Sequence, residues 1–238
     1  MTCPGFGELN IPTLSSRAFW DDCDEDEIPS TEPEKLQLYI ESREELDKAI
    51  SKANLLLVIE GPHVSTFAES VLLKDSKKLA GIPCKKSSLH FIASNGTLIA
   101  IVEEDLSKSG EITELLISEK IASAPKDVFT LSIKPKVDYK SENIAAVQEE
   151  ITFLRSLGGK VNYVEPLEAP NFICGVTAGI ATWRCNEGLD VQVFLAYTDN
   201  VALDYLAAKP VIKLLRDLNI NCANSYHFNK ANDSHLYM

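Results

Sequence analysis

The residues best placed to do chemistry close an apolar run in the second half of the chain. Val191–Tyr197 (VQVFLAY) reads as a strand, and Tyr197-Thr198-Asp199 ends it. In open α/β sheets, polar residues just past a strand's carboxyl end often build an active site, so Tyr197 and Asp199 could serve a small-molecule enzyme. The simpler role for Asp199 is the N-cap of a helix beginning near Val201, where its carboxylate would accept backbone N–H bonds. Other reactive residue types form no constellation. His63, His90, His227 and His235 stand far apart, and the cysteines at 3, 23, 84, 174, 185 and 222 include no CxxC pair, so neither metal nor cofactor is specified. Gly158-Gly159-Lys160-Val161 fails as a phosphate loop, because Leu154 stands where the first glycine is needed and Val161 where Ser or Thr is needed. Gly5-Phe6-Gly7 follows no strand and opens no helix, and no G-x-S-x-G elbow is present. Cys174, inside Phe172-Ile173-Cys174, reads as a small buried hydrophobe, and Trp183 as core.

The carboxyl end carries a different kind of signal. Leu236-Tyr237-Met238 places a hydrophobic residue, a tyrosine and one further residue before the terminal carboxylate. With 7 Tyr in 238 residues and 45% hydrophobic residues, composition alone yields that pair about 1% of the time. The preceding Asn229–Ser234 is polar, as a flexible leash would be. An apolar hook with a terminal carboxylate suits insertion into a partner's pocket, where a lysine meets the carboxylate and the ring supplies buried area. The bland alternative is an incidental disordered end.

Charge restricts the partners. The 238 residues carry a net charge of −12, against the basic surface that nucleic acid or anionic lipid requires. Eight carboxylates crowd between Asp21 and Glu34 with no intervening Lys or Arg. The rest of the chain, with 27 carboxylates against 23 Lys and Arg, carries only −4. The acidic run reads as a solvated, disordered tail over residues 1–34, with an arm that docks on a basic partner as the alternative. Neither a secretory leader nor an apolar stretch near 18 residues is visible, and the cysteine usage fits a reducing compartment, cytoplasmic or nuclear.

These residues need a scaffold, and the patterning describes one over 35–228. Leu36, Leu38 and Ile40 alternate as in a strand, and Ser42 with Glu45 has the form of a capping box opening a helix over Arg43–Lys52. Leu55–Ile59, bounded by Gly61-Pro62, suits a strand buried on both faces, with a helix through Val64, Phe67, Val71 and Leu72 after it. Asn95-Gly96 between Ser88–Ser94 and Thr97–Glu103 predicts a hairpin with a type I′ turn. Ile112–Ile121 predicts a helix, and Val128, Leu131 and Ile133 a strand ending near Pro135. Ile144–Leu157 predicts a helix closed by Gly158-Gly159, with a short strand over Val161–Val164 after it. Pro166–Pro170 reads as a corner, Phe172–Arg184 as an Ala/Gly-rich helix, and Val201–Leu218 as a helix that Pro210 should kink or restart. The expected fold is α/β, a mixed β-sheet with helices on both faces, between flexible N- and C-terminal tails (the latter over 229–238).

The tail resembles the hydrophobic-tyrosine-X motif by which proteasome activators and chaperones enter pockets between alpha subunits of the 20S proteasome. Further residues narrow the likeness: Phe6-Gly7-Glu8 and the acidic run after it, Ala169-Pro170-Asn171-Phe172-Ile173, the helix bearing Trp183, and Val193–Asp199 followed by Leu203-Asp204. Together they resemble the proteasome assembly chaperones, collinearly across nearly the whole chain except Lys74–Lys140. The resemblance implies a non-enzymatic α/β chaperone and a heterodimer with proteasome assembly chaperone 2. That pair would sit on the alpha ring, promote its formation and block premature ring dimerisation. Leu236, Tyr237 and Met238 would be the protein-binding residues.

Overall fold

The computed structural model describes residues 36–141, 149–158, 161–199 and 203–223. The expected tails over 1–34 and 229–238, with Leu236, Tyr237 and Met238, lie outside the described residues. Nine described strands form one mixed sheet in the order β1-β3-β4-β5-β2-β6-β9-β7-β8. They are β1 Tyr39–Ile40, β2 Leu55–Gly61, β3 Lys77–Gly81, β4 Ser88–Ile92, β5 Thr97–Glu103, β6 Asp127–Pro135, β7 Thr152–Leu157, β8 Glu165–Pro166 and β9 Gln192–Thr198. The centre, β5-β2-β6-β9, is parallel; β1, β3 and β4 extend one side antiparallel, and β7 pairs antiparallel with β9. The helices are α1 Arg43–Lys52, α2 Val64–Val71, α3 Ser109–Ser118, α4 Gly175–Asn186 and α5 Tyr205–Asp217.

The apolar runs follow from burial on both sides. Leu57 and Ile59 of β2 enter one core with Phe67 of α2 and Val211 and Leu214 of α5. Leu56 and Val58 enter the other, with Leu46 of α1, Ile112 of α3 and Ile180 of α4. Helices therefore cover both faces, and a strand between two cores loses its alternation. A smaller cluster of Tyr139, Phe153, Ala181, Leu195 and Tyr197 sits toward the β7 side.

The α/β class and most elements agree with the expectation; several details differ. Residues 152–157 form strand β7, not the end of a helix from Ile144. Phe153 packs in the aromatic cluster while Leu154 joins the main core, so both faces are apolar and the period of two is masked. The short strand falls at Glu165–Pro166, because 161–164 is a turn closed by Val164 N–H donating to Val161 O at 3.0 Å. Ser42 is the N-cap of α1, but its side chain makes no cap bond, and Glu45 pairs with Lys77 of β3 instead. The β4–β5 loop spans the four residues between the paired Ile92 and Thr97, and only Gly96 (φ +65°) has positive φ, so the turn is not type I′. Helix α5 starts at Tyr205, not near Val201, and runs through Pro210. Trp183 is half-buried, whereas its neighbour Arg184, 1% exposed, is the buried one. Arg184 donates to the carbonyls of Ala122, Pro125, Lys126 and Asp190 and so ties α4 to the start of β6.

Candidate functional site

The carboxyl ends of β2, β5, β6 and β9 share one edge of the sheet, and the amino end of antiparallel β7 joins them. An α/β enzyme would place its ligand at this edge, using helix N-termini to hold anionic groups. Here two such N-termini hold the protein's own carboxylates. Glu60, near the end of β2 and 3% exposed, accepts the backbone N–H groups of Val176 and Thr177 and the Thr177 hydroxyl, each at 2.9 Å. Burial pushes its carboxyl above the ordinary range, and the bonds from Thr177 and Val176 oppose that shift. Glu103, ending β5, accepts from His63 N–H at 2.9 Å and from the Ser65 N–H and hydroxyl at 3.1 and 2.6 Å, at the start of α2. Ser132 of β6 lies 2.6 Å from the Thr177 hydroxyl and continues the first network.

The sequence-predicted pair is not assembled for acid–base work. Tyr197 is 2% exposed and packs against Tyr139 and Phe153 with ring centroids 5.0 and 5.3 Å away. Desolvation pushes its hydroxyl up to about 12, so it keeps its proton at neutral pH. The guanidinium of Arg155 stacks over the rings of Tyr139 and Phe153 and pairs with Glu165, which makes this a structural cluster. Asp199 is exposed and pairs with Lys136 at 3.1 Å, while its N–H donates to Ile151 O. It caps no described helix; Asp204 takes that role for α5, its Oδ1 accepting from Leu206 and Ala207 N–H at 2.9 and 2.8 Å. A cleft of about 640 Å³ beside β3 and β4, lined by Lys78, Lys85, Ser88 and His90 among others, lies away from this pair. So does a cavity of about 370 Å³ lined by Tyr163, Lys209 and Lys213 among others. Among the described residues, no group of three His, Cys, Asp or Glu could hold a metal ion. No described helix is long and apolar enough to cross a membrane.

What this edge does present is apolar surface. Val137, just past β6, is 87% exposed and Phe172, before α4, is 72% exposed. Ile151 precedes β7, and Tyr205 and Leu206 open α5; all three are exposed. All five belong to segments that leave or enter the sheet at this edge. Cys174 is half-buried rather than fully packed, and its sulfur faces Lys134.

Sequence reasoning missed Glu60, Glu103, Lys134 and Arg184. For Glu60 a signal existed: an acidic residue inside the apolar run Leu55–Gly61 must be satisfied if the run is buried. At the other end, the described chain closes against α2, where Ala223 N–H donates to Val71 O at 2.8 Å. The predicted hook residues, Leu236 to Met238, follow beyond that point, outside the described residues.

Comparison with known proteins bears on the fold. No protein-family model matches the chain, and no curated protein matches it in sequence. Among solved structures, a Thermoplasma acidophilum protein of unknown function superimposes with a TM-score of 0.53 at 12% identity, over 75% of this chain and 82% of that one. Pyrococcus furiosus PbaA, described as an archaeal homolog of proteasome-assembly chaperone, gives 0.52 at 16% identity, over 79% and 84%. Pyrococcus furiosus PbaB, described as an archaeal proteasome activator, gives 0.52 at 12% identity, over 79% and 91%. At these identities the likeness establishes a shared fold.

Proposed function

We propose that this chain is a proteasome assembly chaperone, the counterpart of proteasome assembly chaperone 1. It acts as a heterodimer with proteasome assembly chaperone 2, promotes formation of the 20S alpha ring and blocks premature dimerisation of rings. The observation that carries the reading is the fold shared with PbaA and PbaB over 79% of the chain. The resemblance carried by Ala169–Ile173, Val193–Asp199 and Leu236-Tyr237-Met238 supports the same reading. The self-filled helix N-termini and the buried Tyr197 speak against the alternative of a small-molecule enzyme at Tyr197 and Asp199.

In this reading Leu236, Tyr237 and Met238 are the hook, and the folded domain supplies a broad second contact. Three residues alone bind weakly. Tethering them to a docked domain raises their effective concentration to about the millimolar range, and avidity follows. The test is affinity purification of alpha subunits from the native cell with the full chain and three variants: Tyr237→Ala, deletion of Leu236–Met238, and one residue added after Met238. Each should lower recovery about tenfold or more while leaving the melting temperature unchanged, since a buried aromatic anchor carries a large share of such contacts. Equal recovery with all three removes the hook. Failure of the unaltered chain to capture any alpha subunit removes the chaperone reading itself.

A further inference from the structure

Lys134 of β6 and Cys174, the residue before α4, are 40 positions apart in sequence, yet the Lys134 Nζ lies 2.7 Å from the Cys174 Sγ. Sulfur is larger than oxygen, so an N–H···S hydrogen bond should be longer than the usual 2.7–3.2 Å of N–H···O. The separation is nonetheless too long for a direct N–S bond. It is the span that a single oxygen atom between nitrogen and sulfur would occupy. The surroundings favour the pairing. Among the described residues, the contacts of the ammonium are this sulfur and the ring of Phe172, 5.8 Å from its centroid, rather than a carboxylate. The N-terminus of α4 is already satisfied by Glu60, so Lys134 is the charged partner left to the sulfur. Cys174 is half-buried, as is Cys222, whereas Cys84 is buried and Cys185 is exposed on the surface of α4.

We infer that Lys134 and Cys174 form a redox-made covalent cross-link, a nitrogen–oxygen–sulfur bridge between the lysine amine and the cysteine sulfur, with dioxygen as the oxidant. In the balanced step the thiol and the neutral amine each lose one hydrogen. One atom of dioxygen becomes the bridge, and the other leaves as water with those two hydrogens. Sulfur and nitrogen give up two electrons each, and dioxygen takes up all four. The bridge ties the end of β6 to the segment carrying Phe172, beside the exposed apolar edge, so oxidation would fix the position of that surface. A thiol reductant opens it by attack at sulfur: the S–O bond breaks, a mixed disulfide forms at Cys174 and the oxygen leaves on Lys134 as a hydroxylamine. A second thiol frees the cysteine, and two further reducing equivalents return the amine with loss of water. This inference is independent of the chaperone reading.

The experiment is high-resolution mass spectrometry of the full chain after exposure to air, with and without dithiothreitol. The oxidised protein should be about 14 Da heavier, one oxygen gained and two hydrogens lost. Trypsin should release the peptide of residues 127–136 joined to that of residues 161–184, and dithiothreitol should separate them. A methyl group adds nearly the same mass but neither joins peptides nor yields to reductant. Cys174→Ser and the conservative Lys134→Arg should each abolish the joined species, while Cys185 still alkylates as an internal control. If air-exposed wild-type protein alkylates fully at Cys174, or carries the oxygen on sulfur alone with the two peptides separate, the bridge does not form.

Discussion

Helices α4 and α5 both begin on a carboxylate, but they obtain it differently. Asp204 is the N-cap of α5 and serves it from two residues away. Cys174 is the N-cap of α4 and makes no side-chain cap bond; the carboxylate arrives from Glu60, 116 residues earlier on β2. A local cap supports a helix before anything else has folded. A remote cap forms only when sheet and helix dock, so it contributes to tertiary structure and not to the isolated helix. The remote arrangement is also the more demanding. It buries a carboxylate and needs close approach, which is why Gly175 stands at φ +82° with Glu60 where a Cβ would project.

The largest effect is therefore expected from Gly175→Ala. It combines a positive φ with a collision against a buried carboxylate and should cost about 3 kcal/mol or more in denaturant unfolding. Glu60→Ala removes the cap but relieves no crowding that the native chain suffers. It strands the N–H groups of Val176 and Thr177 and should cost about 2–3 kcal/mol. Asp204→Ala should cost only about 1 kcal/mol, the usual value of a local N-cap. A cost for Asp204→Ala equal to that of Glu60→Ala would erase the distinction between the two helices.

The finest test uses pH. Desolvation raises the Glu60 carboxyl in the folded state, with the bonds from α4 opposing it in part. Its contribution to stability is thus complete below the unfolded carboxyl range and is lost as the pH rises through the raised folded value. Melting temperatures of the parent and Glu60→Gln, compared from pH 7 down to pH 4, should move in favour of the parent as the pH falls. Movement the other way would mean that the bonds from Val176 and Thr177 outweigh burial.

How much was legible depended on the range of the interaction. The helix over Arg43–Lys52 was readable because Leu46, Ala49 and Ile50 recur on one buried side. The hairpin at Asn95-Gly96 was readable from a single dipeptide, although the four-residue loop changed its turn type. Strand β7 was not, because Phe153 and Leu154 face different cores and the residues before it resemble a helix. Asp199 follows a strand as a cap would, but Asp204, five residues on, has the geometry that a cap needs. Of the candidate site, the tail hook was visible as a local motif. The exposed apolar edge was not, since Val137, Ile151 and Phe172 are isolated apolar residues in sequence.

From its sequence alone this chain set its α/β class, its charge distribution, its buried strands and the character of its last three residues, because each depends on neighbours within a few positions. The tertiary structure decided which carboxylates seal which helices, which face Phe153 and Leu154 each join, and that Lys134 meets Cys174. Those outcomes are contacts between residues tens of positions apart, and they exist only once the sheet has brought its strands into register.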